Sequence, residues 1–480
     1  MRARTSIASF TPWLVPLLMG AALANAVYWQ GGLERAGWNV SLILIGIAAA
    51  LAELDDPAIP SASLGFLRWP LLLLPAYAIF QIIPFPLGLV RMLSPARAAL
   101  PNERLVSLSV NPAATWDHVL RLTAYALTFI LARTTVCRIR PSTWLLVVPL
   151  LLIGGLEAAW GLTQAGGSGP LAVVHGSYLN RNHLAGLLEM VLPFAAMSAI
   201  AGARRANAKA VSISGALRVG IGTSLAAMIS IALLRTSSRM GVISTAISAF
   251  SVAGLTMRRH AARGWYGWLW PMATLLIAFF TLIWLMPVAL VQRFASLSAG
   301  DISLALRLRL WRESLPLLRD FPLFGCGLGG YASAVARYKD ASLDFADYAH
   351  NDYLQYLIEL GPVMWGLALF CAGLILVRLV RAVRRAPAGD LQFLGIAAAG
   401  SLLAMLVHSL ADFNLYIPAN ALVFACIGGI AAGVTTPARQ PPPRDGKQIL
   451  GGTLGSIIVP LAGGALAVCA AISTWGGFSR

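Results

Sequence analysis

Apolar runs of about 20 residues, the length a helix needs to cross a bilayer, recur from one end of this chain to the other. They centre on 10–27, 38–54, 68–84, 117–137, 143–163, 183–203, 218–235, 239–257, 267–291, 353–377, 391–411, 417–435 and 449–472. With 58% hydrophobic residues, 11% charged residues and a mean hydropathy of +0.74, a soluble domain is excluded. The pattern predicts an all-α polytopic membrane protein of about 12–13 transmembrane helices. One long polar interruption, 292–352, is expected to hold short amphipathic helices. The first span follows Arg2 and Arg4 and contains Ala24-Asn25-Ala26, which imitates a signal-peptidase site; an uncleaved first span is the expectation.

The net charge of +17 belongs to topology and anionic lipid, and no nucleic-acid partner is expected. Basic residues of short loops stay cytoplasmic. With the N-terminus inside, Arg133, Arg138 and Arg140, then Arg204, Arg205 and Lys209, then Arg258, Arg259 and Arg263, then Arg378, Arg381, Arg384 and Arg385 all fall on that side. So does the linker with Arg439, Arg444 and Lys447. The segments 163–182, 235–239, 292–352 and 411–420 are then left outside. The stretch 85–116, with Arg91, Arg97 and Arg104, is expected to form an interfacial lid. The five cysteines have no metal-ligand or disulfide spacing, and no metal or cofactor is expected.

Chemistry is expected on that outer face. Arg235 and Arg239 bracket a very short loop where the positive-inside bias disfavours arginine. Snorkelling, or pairing with Asp412, is the plainer explanation for either one. Arg307 lies four residues before Trp311, so on a helix the two share a face, with the indole expected against lipid. Arginines near the outer surface suit a diphosphate, which guanidinium binds bidentately. His350 opens an apolar run, and histidine is the residue type suited to proton transfer near neutral pH. The intramembrane acids Glu157 and Glu189 support a different class, a transporter, unless each is paired with a hydroxyl or an arginine.

Four stretches together resemble the O-antigen ligase and polymerase family. The first is Arg307-x-x-x-Trp311, Pro322-Leu323-Phe324-Gly325-x-Gly327, His350-Asn351-x-Tyr353-Leu354 and Glu359-x-Gly361. The second is Gly176 through Asn180, Asn182, His183 and Ala185. The third is Ser238-Arg239-x-Gly241, in which Met240 stands where the family usually has glycine. The fourth, His408 through Asp412, Asn414, Pro418 and Asn420, is similar to exopolysaccharide-building members.

The resemblance implies a metal-independent, inverting glycosyltransferase of the bacterial inner membrane with its active face in the periplasm. Its donor would be an undecaprenyl diphosphate-linked glycan. Arg239 and Arg307 would hold the diphosphate, with Arg309 the alternative to Arg307, and His350 would orient or deprotonate the acceptor. Arg235, Asn180, Asn182, His183, Asn351, Tyr353, Asp412 and Asn414 are further expected substrate contacts. The acceptor would be a second lipid-linked repeat unit, as in a polymerase, or lipid A-core or a protein, as in a ligase. A flippase and a chain-length regulator are possible partners, alongside membrane lipids. The expected division is N-terminal helices 1–149, a catalytic core 150–435 and a linker with a final helix 436–480.

Overall fold

A computed structural model of the chain describes residues 11–55, 67–99, 103–138, 140–165, 173–206, 213–257, 286–295, 302–339, 347–387, 389–436 and 453–478. The long helices are α1 (Thr11–Tyr28), α2 (Arg35–Asp55), α3 (Arg68–Ile82), α4 (Pro112–Arg138), α5 (Val148–Ala165), α6 (Arg181–Ala206), α7 (Ile213–Arg235), α8 (Arg239–Met257), α9 (Ile302–Ser314), α10 (Asp352–Arg385), α11 (Asp390–His408), α12 (Pro418–Thr435) and α13 (Thr453–Phe478). Eight helices among the described residues are long and apolar enough to cross a membrane; Trp13–Tyr28, Trp69–Ile82 and Val459–Ser473 are shorter apolar helices. The protein is an all-α, multi-pass membrane protein. Most of the span expected near 267–291 lies outside the described residues. So do Arg2 and Arg4, Lys209, Arg258, Arg259 and Arg263, and the basic residues of the 436–452 linker.

Three helices form the centre. Within their apolar windows α6, α11 and α12 are 78%, 78% and 83% buried, against 28% for α7 and α8 and 11% for α10. One continuous apolar core runs from Val15 and Leu42 through Phe194 and Ile430 to Ala470, joining helices from both ends of the chain. Lipid is as apolar as these side chains, so close backbone approach has to supply much of the helix contact. Gly429 and Gly433, four residues apart on α12, provide it against α4. A Cβ at Gly429 would sit 2.3 Å from the Phe129 carbonyl oxygen, and one at Gly433 would sit 2.7 Å from Val136 Cβ.

The bundle has two chemically distinct ends. At one, arginines close the helix termini. Arg138 donates to the Ala52 carbonyl, Arg133 to the Thr436 hydroxyl, Arg218 pairs with Asp390 at 3.5 Å, and Arg204 lies over the Phe393 ring. At the other end α6, α8, α10 and α12 all begin, beneath the polar segments. There the described residues 85–99 and 103–116 form two short helices and, with β1 (Pro84–Pro86) antiparallel to β2 (Leu105–Ser107), a two-stranded sheet. It covers the 322–331 loop through Val110 N–H to the Cys326 carbonyl and the Thr115 hydroxyl to the Leu328 carbonyl.

That loop is seated in a kink of α10. Pro362 has no N–H for the Ile358 carbonyl, and Gly361 turns left-handed at φ 75°, so the helix leaves carbonyls without their usual partners. The loop and α3 supply new ones. Cys326 N–H reaches the Ile358 carbonyl at 2.9 Å, Gly327 N–H and Gln81 Nε2 reach the Glu359 carbonyl, and the Tyr77 hydroxyl reaches the Leu360 carbonyl. The Glu359 carboxylate in turn accepts from Gly329 N–H, Tyr331 N–H and the Tyr416 hydroxyl. The Pro-Leu-Phe-Gly-x-Gly and Glu-x-Gly stretches are thus two halves of one joint, which fixes where α10 and His350 begin.

Candidate active site

The starts of α6 and α10 and the middle of α9 converge on Asp412, a carboxylate 1% exposed in the loop between α11 and α12. Its oxygens are shared among several donors. Phe413 N–H holds Oδ1 at 2.9 Å, which fixes the carboxylate against its own backbone. Asn182, in the first turn of α6, donates from Nδ2 to Oδ2 at 2.7 Å. Arg307 on α9 lies 3.7 Å from Oδ2 and donates to the neighbouring Ala411 carbonyl at 2.6 Å. His350 Nδ1 lies 3.8 Å from Oδ1, and His183 Nε2 lies 3.9 Å from it. Both distances exceed hydrogen-bond length, and both nitrogens are buried without a hydrogen-bond partner.

Burial alone would push the Asp412 carboxyl up. His350, His183, Arg307 and His408 around it outweigh burial and hold it far below the ordinary carboxylate range, so it is ionised.

Local structure aims each group. Asn351 is the N-cap of α10, its Oδ1 accepting from Leu354 N–H at 3.1 Å. His350 precedes it with φ 50°, which swings the imidazole away from the helix axis. Asp352, 1% exposed, locks the start of α10 onto the 409–415 loop: its N–H donates to the Ser409 and Asp412 carbonyls, and its Oδ2 accepts from Leu415 N–H. Asn180 caps α6 by accepting from Asn182 N–H at 2.9 Å. Ser238 caps α8 by accepting from Gly241 N–H, after a left-handed Ser237. Phe413 is the floor: the His183 and His350 rings meet it edge-on at 4.7 and 4.8 Å, and Tyr348 stacks on it at 4.2 Å.

The expected site residues divide by position. His350, Asn351, Arg307, Asn182, His183 and Asp412 are drawn together. Arg239 stands at the start of α8, where Nη1 donates to the Arg293 carbonyl at 3.0 Å while Arg293 donates to the Ser237 carbonyl. Arg235 ends α7 across the same turn, its carbonyl accepting from Val174 N–H. Arg309 points elsewhere, into an exposed i, i+4 pair with Glu313 at 2.9 Å. Asn414 is fully buried behind the face, where its Oδ1 accepts from Asn420 Nδ2. Tyr353 donates to the Leu406 carbonyl, tying α10 to α11.

Trp311 is not the lipid-facing indole expected. Its Nε1 donates to the Ala349 carbonyl at 2.7 Å, so the helix that carries Arg307 also holds the segment that carries His350. The two intramembrane acids both have the polar partners that weaken a transporter reading. Glu157 accepts from Ser177 N–H at 2.9 Å, and Glu189 accepts from the Ser244 hydroxyl and lies 3.0 Å from His408 Nδ1. Phe413, Tyr348 and Asp352 carry no residue-type signal of their own. The signal that would have found them is adjacency to His350 and Asp412.

Residues 224–371 match the O-antigen ligase family model. The match supports the O-antigen ligase/polymerase resemblance, and its span holds Arg239, Arg307, His350 and both halves of the α10 joint. Asn182, His183 and Asp412 lie outside it yet complete the site. No curated protein matches the chain.

Proposed function

We propose that this protein is a glycosyltransferase of the bacterial inner membrane that moves a glycan from undecaprenyl diphosphate, on the periplasmic face, to the hydroxyl of an acceptor. The coarser statement, a part in surface polysaccharide biosynthesis with lipid-linked glycan and acceptor as partners, follows from the O-antigen ligase match. The observation that carries the finer reading is the grouping of His350 and Arg307 around Asp412, each within 4 Å of its carboxylate. A base beside an ionised carboxylate, next to a guanidinium, is what transfer from a lipid diphosphate requires.

In this reading the diphosphate lies between Arg307 and Arg239. The starts of α6 and α8 add the positive ends of their helix dipoles. His350 takes the proton of the acceptor hydroxyl as its oxygen attacks the anomeric carbon from the face opposite the diphosphate. The C–O bond to the diphosphate breaks, and the leaving group departs with the electron pair, giving inversion. Fixed guanidinium groups stabilise that developing charge without reorganising. This matches the role a metal ion has in other glycosyl transfers, which is why the reaction is proposed to be metal-independent. Arg307 is preferred to Arg309 because Arg309 is engaged with Glu313 at the surface. Polymerase is preferred to ligase on the likeness of the 408–420 run to exopolysaccharide-building members.

The test uses purified protein in liposomes with one defined undecaprenyl diphosphate-oligosaccharide and no other acceptor, read by product mass. A ladder growing by whole repeat units, absent in His350→Ala, is the expected result. Transfer only after lipid A-core or a protein is added would make the enzyme a ligase. No transfer in either mixture by well-folded protein would remove the enzyme reading.

A further inference from the structure

On the face of the bundle formed by α3, α4, α10 and α12 an apolar groove of about 270 Å³ runs down from the candidate site. Tyr125 and Tyr356 lie toward its upper end, Trp365, Ala372 and Phe424 line its middle, and Phe129 and Gly428 close the lower part. From Tyr356 to Leu376 it follows twenty residues of α10, roughly 30 Å at the helical rise. Neither of the arginines proposed to hold the donor diphosphate is on a helix that lines it.

One cation stands at its head. Arg121 lies nine residues into α4, where a charged side chain within an apolar span needs a functional reason. Its Nε is buried without a hydrogen-bond partner. Its charge is felt by His118, Tyr125, Tyr348 and Tyr356. Two of them, Tyr125 and Tyr356, line the groove. A third, Tyr348, is the ring stacked on Phe413, whose other contacts are His183 and His350. Tyr356 stacks on Tyr416 at 4.6 Å, and Tyr416 lies 5.7 Å from the His118 ring. An arginine with an unpartnered Nε thus stands one residue before the groove-lining Leu122, and an aromatic stack leads from it to the candidate centre.

We propose that this groove binds a second polyprenyl diphosphate lipid, with its chain between α4, α10 and α12 and its diphosphate on Arg121, and that this lipid carries the acceptor glycan. The binding follows from charge and shape: a half-buried guanidinium whose Nε lacks a partner fits a phosphate oxygen, and the walls below it are apolar and suit hydrocarbon. The acceptor role rests on the transfer reading above. Two lipid-borne substrates must enter one centre by separate routes, and donor arginines on α8 and α9 with an acceptor arginine on α4 provide them. Glycan on the second lipid would pass the Tyr348–Phe413 stack on its way to His350.

The test is photolabelling of the full-length purified protein with a polyprenyl diphosphate that bears a diazirine on its chain, followed by peptide mapping. Labelling is expected on α4, α10 and α12 around Tyr125, Trp365 and Phe424. Unlabelled polyprenyl diphosphate should compete and phosphatidylglycerol should not. Arg121→Ala should weaken this labelling roughly tenfold, the loss of a charge-assisted contact, with Arg121→Lys between. Ala372→Phe should block the groove, while the double variant Arg239→Ala/Arg307→Ala should leave groove labelling in place. Equal competition by phosphatidylglycerol would mean a groove filled by bulk lipid and would overturn the proposal, as would labelling indifferent to Arg121→Ala in protein of wild-type melting temperature. Groove labelling by a protein that transfers nothing in liposomes would reject the acceptor role and the enzyme reading together, leaving the lipid site standing.

Discussion

Asp412 is the residue on which the candidate site turns, and its effect is exerted through His350. At 3.8 Å it makes no hydrogen bond in this state, yet it is ionised and faces Nδ1. As a positioning residue it should therefore act on the rate of the bound complex. Asp412→Asn removes the charge and keeps the shape, and kcat should drop about 100-fold, toward the low end of what a placed general base contributes, while KM for the lipid-linked glycan changes little. A raised KM with kcat kept would make Asp412 a substrate-binding group instead. Arg309→Ala, which removes an exposed pair with Glu313, should stay within about twofold of wild type. The chemistry-bearing residues were legible in the sequence because histidine, with six in the chain, is scarce and the outer arginines run against the positive-inside bias. Arg121 was not, although it too interrupts an apolar span, because nothing in the sequence distinguishes a cation inside a groove from one that snorkels. The indole of Trp311 was misplaced for a related reason: helix spacing tells which residues share a face but not whether that face meets lipid or the Ala349 carbonyl.

At the scale of elements, the joint between the 322–331 loop and α10 explains glycines that a motif only records. Gly325 and Gly361 both have positive φ, and each would push a Cβ to 2.2 Å from a carbonyl oxygen of the other segment, Glu359 for the first and Leu323 for the second. Gly361→Ala should therefore destabilise by at least about 1–3 kcal/mol, the usual cost of a strained backbone, and should displace the start of α10. Gly366, five residues further on, has nothing within 4 Å of where a Cβ would stand, so Gly366→Ala is the matched control and should keep or raise the melting temperature. Thermal unfolding of both in detergent, followed by tryptophan fluorescence, would decide. Equal melting temperatures would mean that the joint adds nothing to stability. The helices themselves were readable from hydropathy, and the expected spans near 239–257, 391–411 and 417–435 lie close to α8, α11 and α12. The joint was not readable, because it depends on carbonyls freed by Pro362 being met by a loop 36 residues earlier, at Cys326. Periodicity reports local structure and carries no information on which distant N–H groups will fill such a gap.

Across the whole molecule, the separation of an arginine-closed end from a polar end is what gives the site a side of the membrane. Arg133, Arg138, Arg204 and Arg218 bind helix ends away from Asp412, and the positive-inside rule makes that end the one expected in the cytoplasm. A donor carried on a lipid diphosphate, delivered after flipping, demands that the other end face the periplasm. Two positions test this. Leu323 is 53% exposed beside the site, and Arg385 ends α10 at the opposite pole. In a background with Cys137→Ala and Cys469→Ala, Cys326, Cys371 and Cys426 remain, and all three are buried. Leu323→Cys in that background should react with an impermeant maleimide on intact spheroplasts, and Arg385→Cys only after the membrane is opened. The reverse pattern would place Asp412 and His350 where nucleotide sugars, not flipped lipid-linked glycans, are the available donors. The lipid-diphosphate mechanism would then fail even with every distance in the site unchanged, because the geometry can select a donor only from those its side of the membrane supplies.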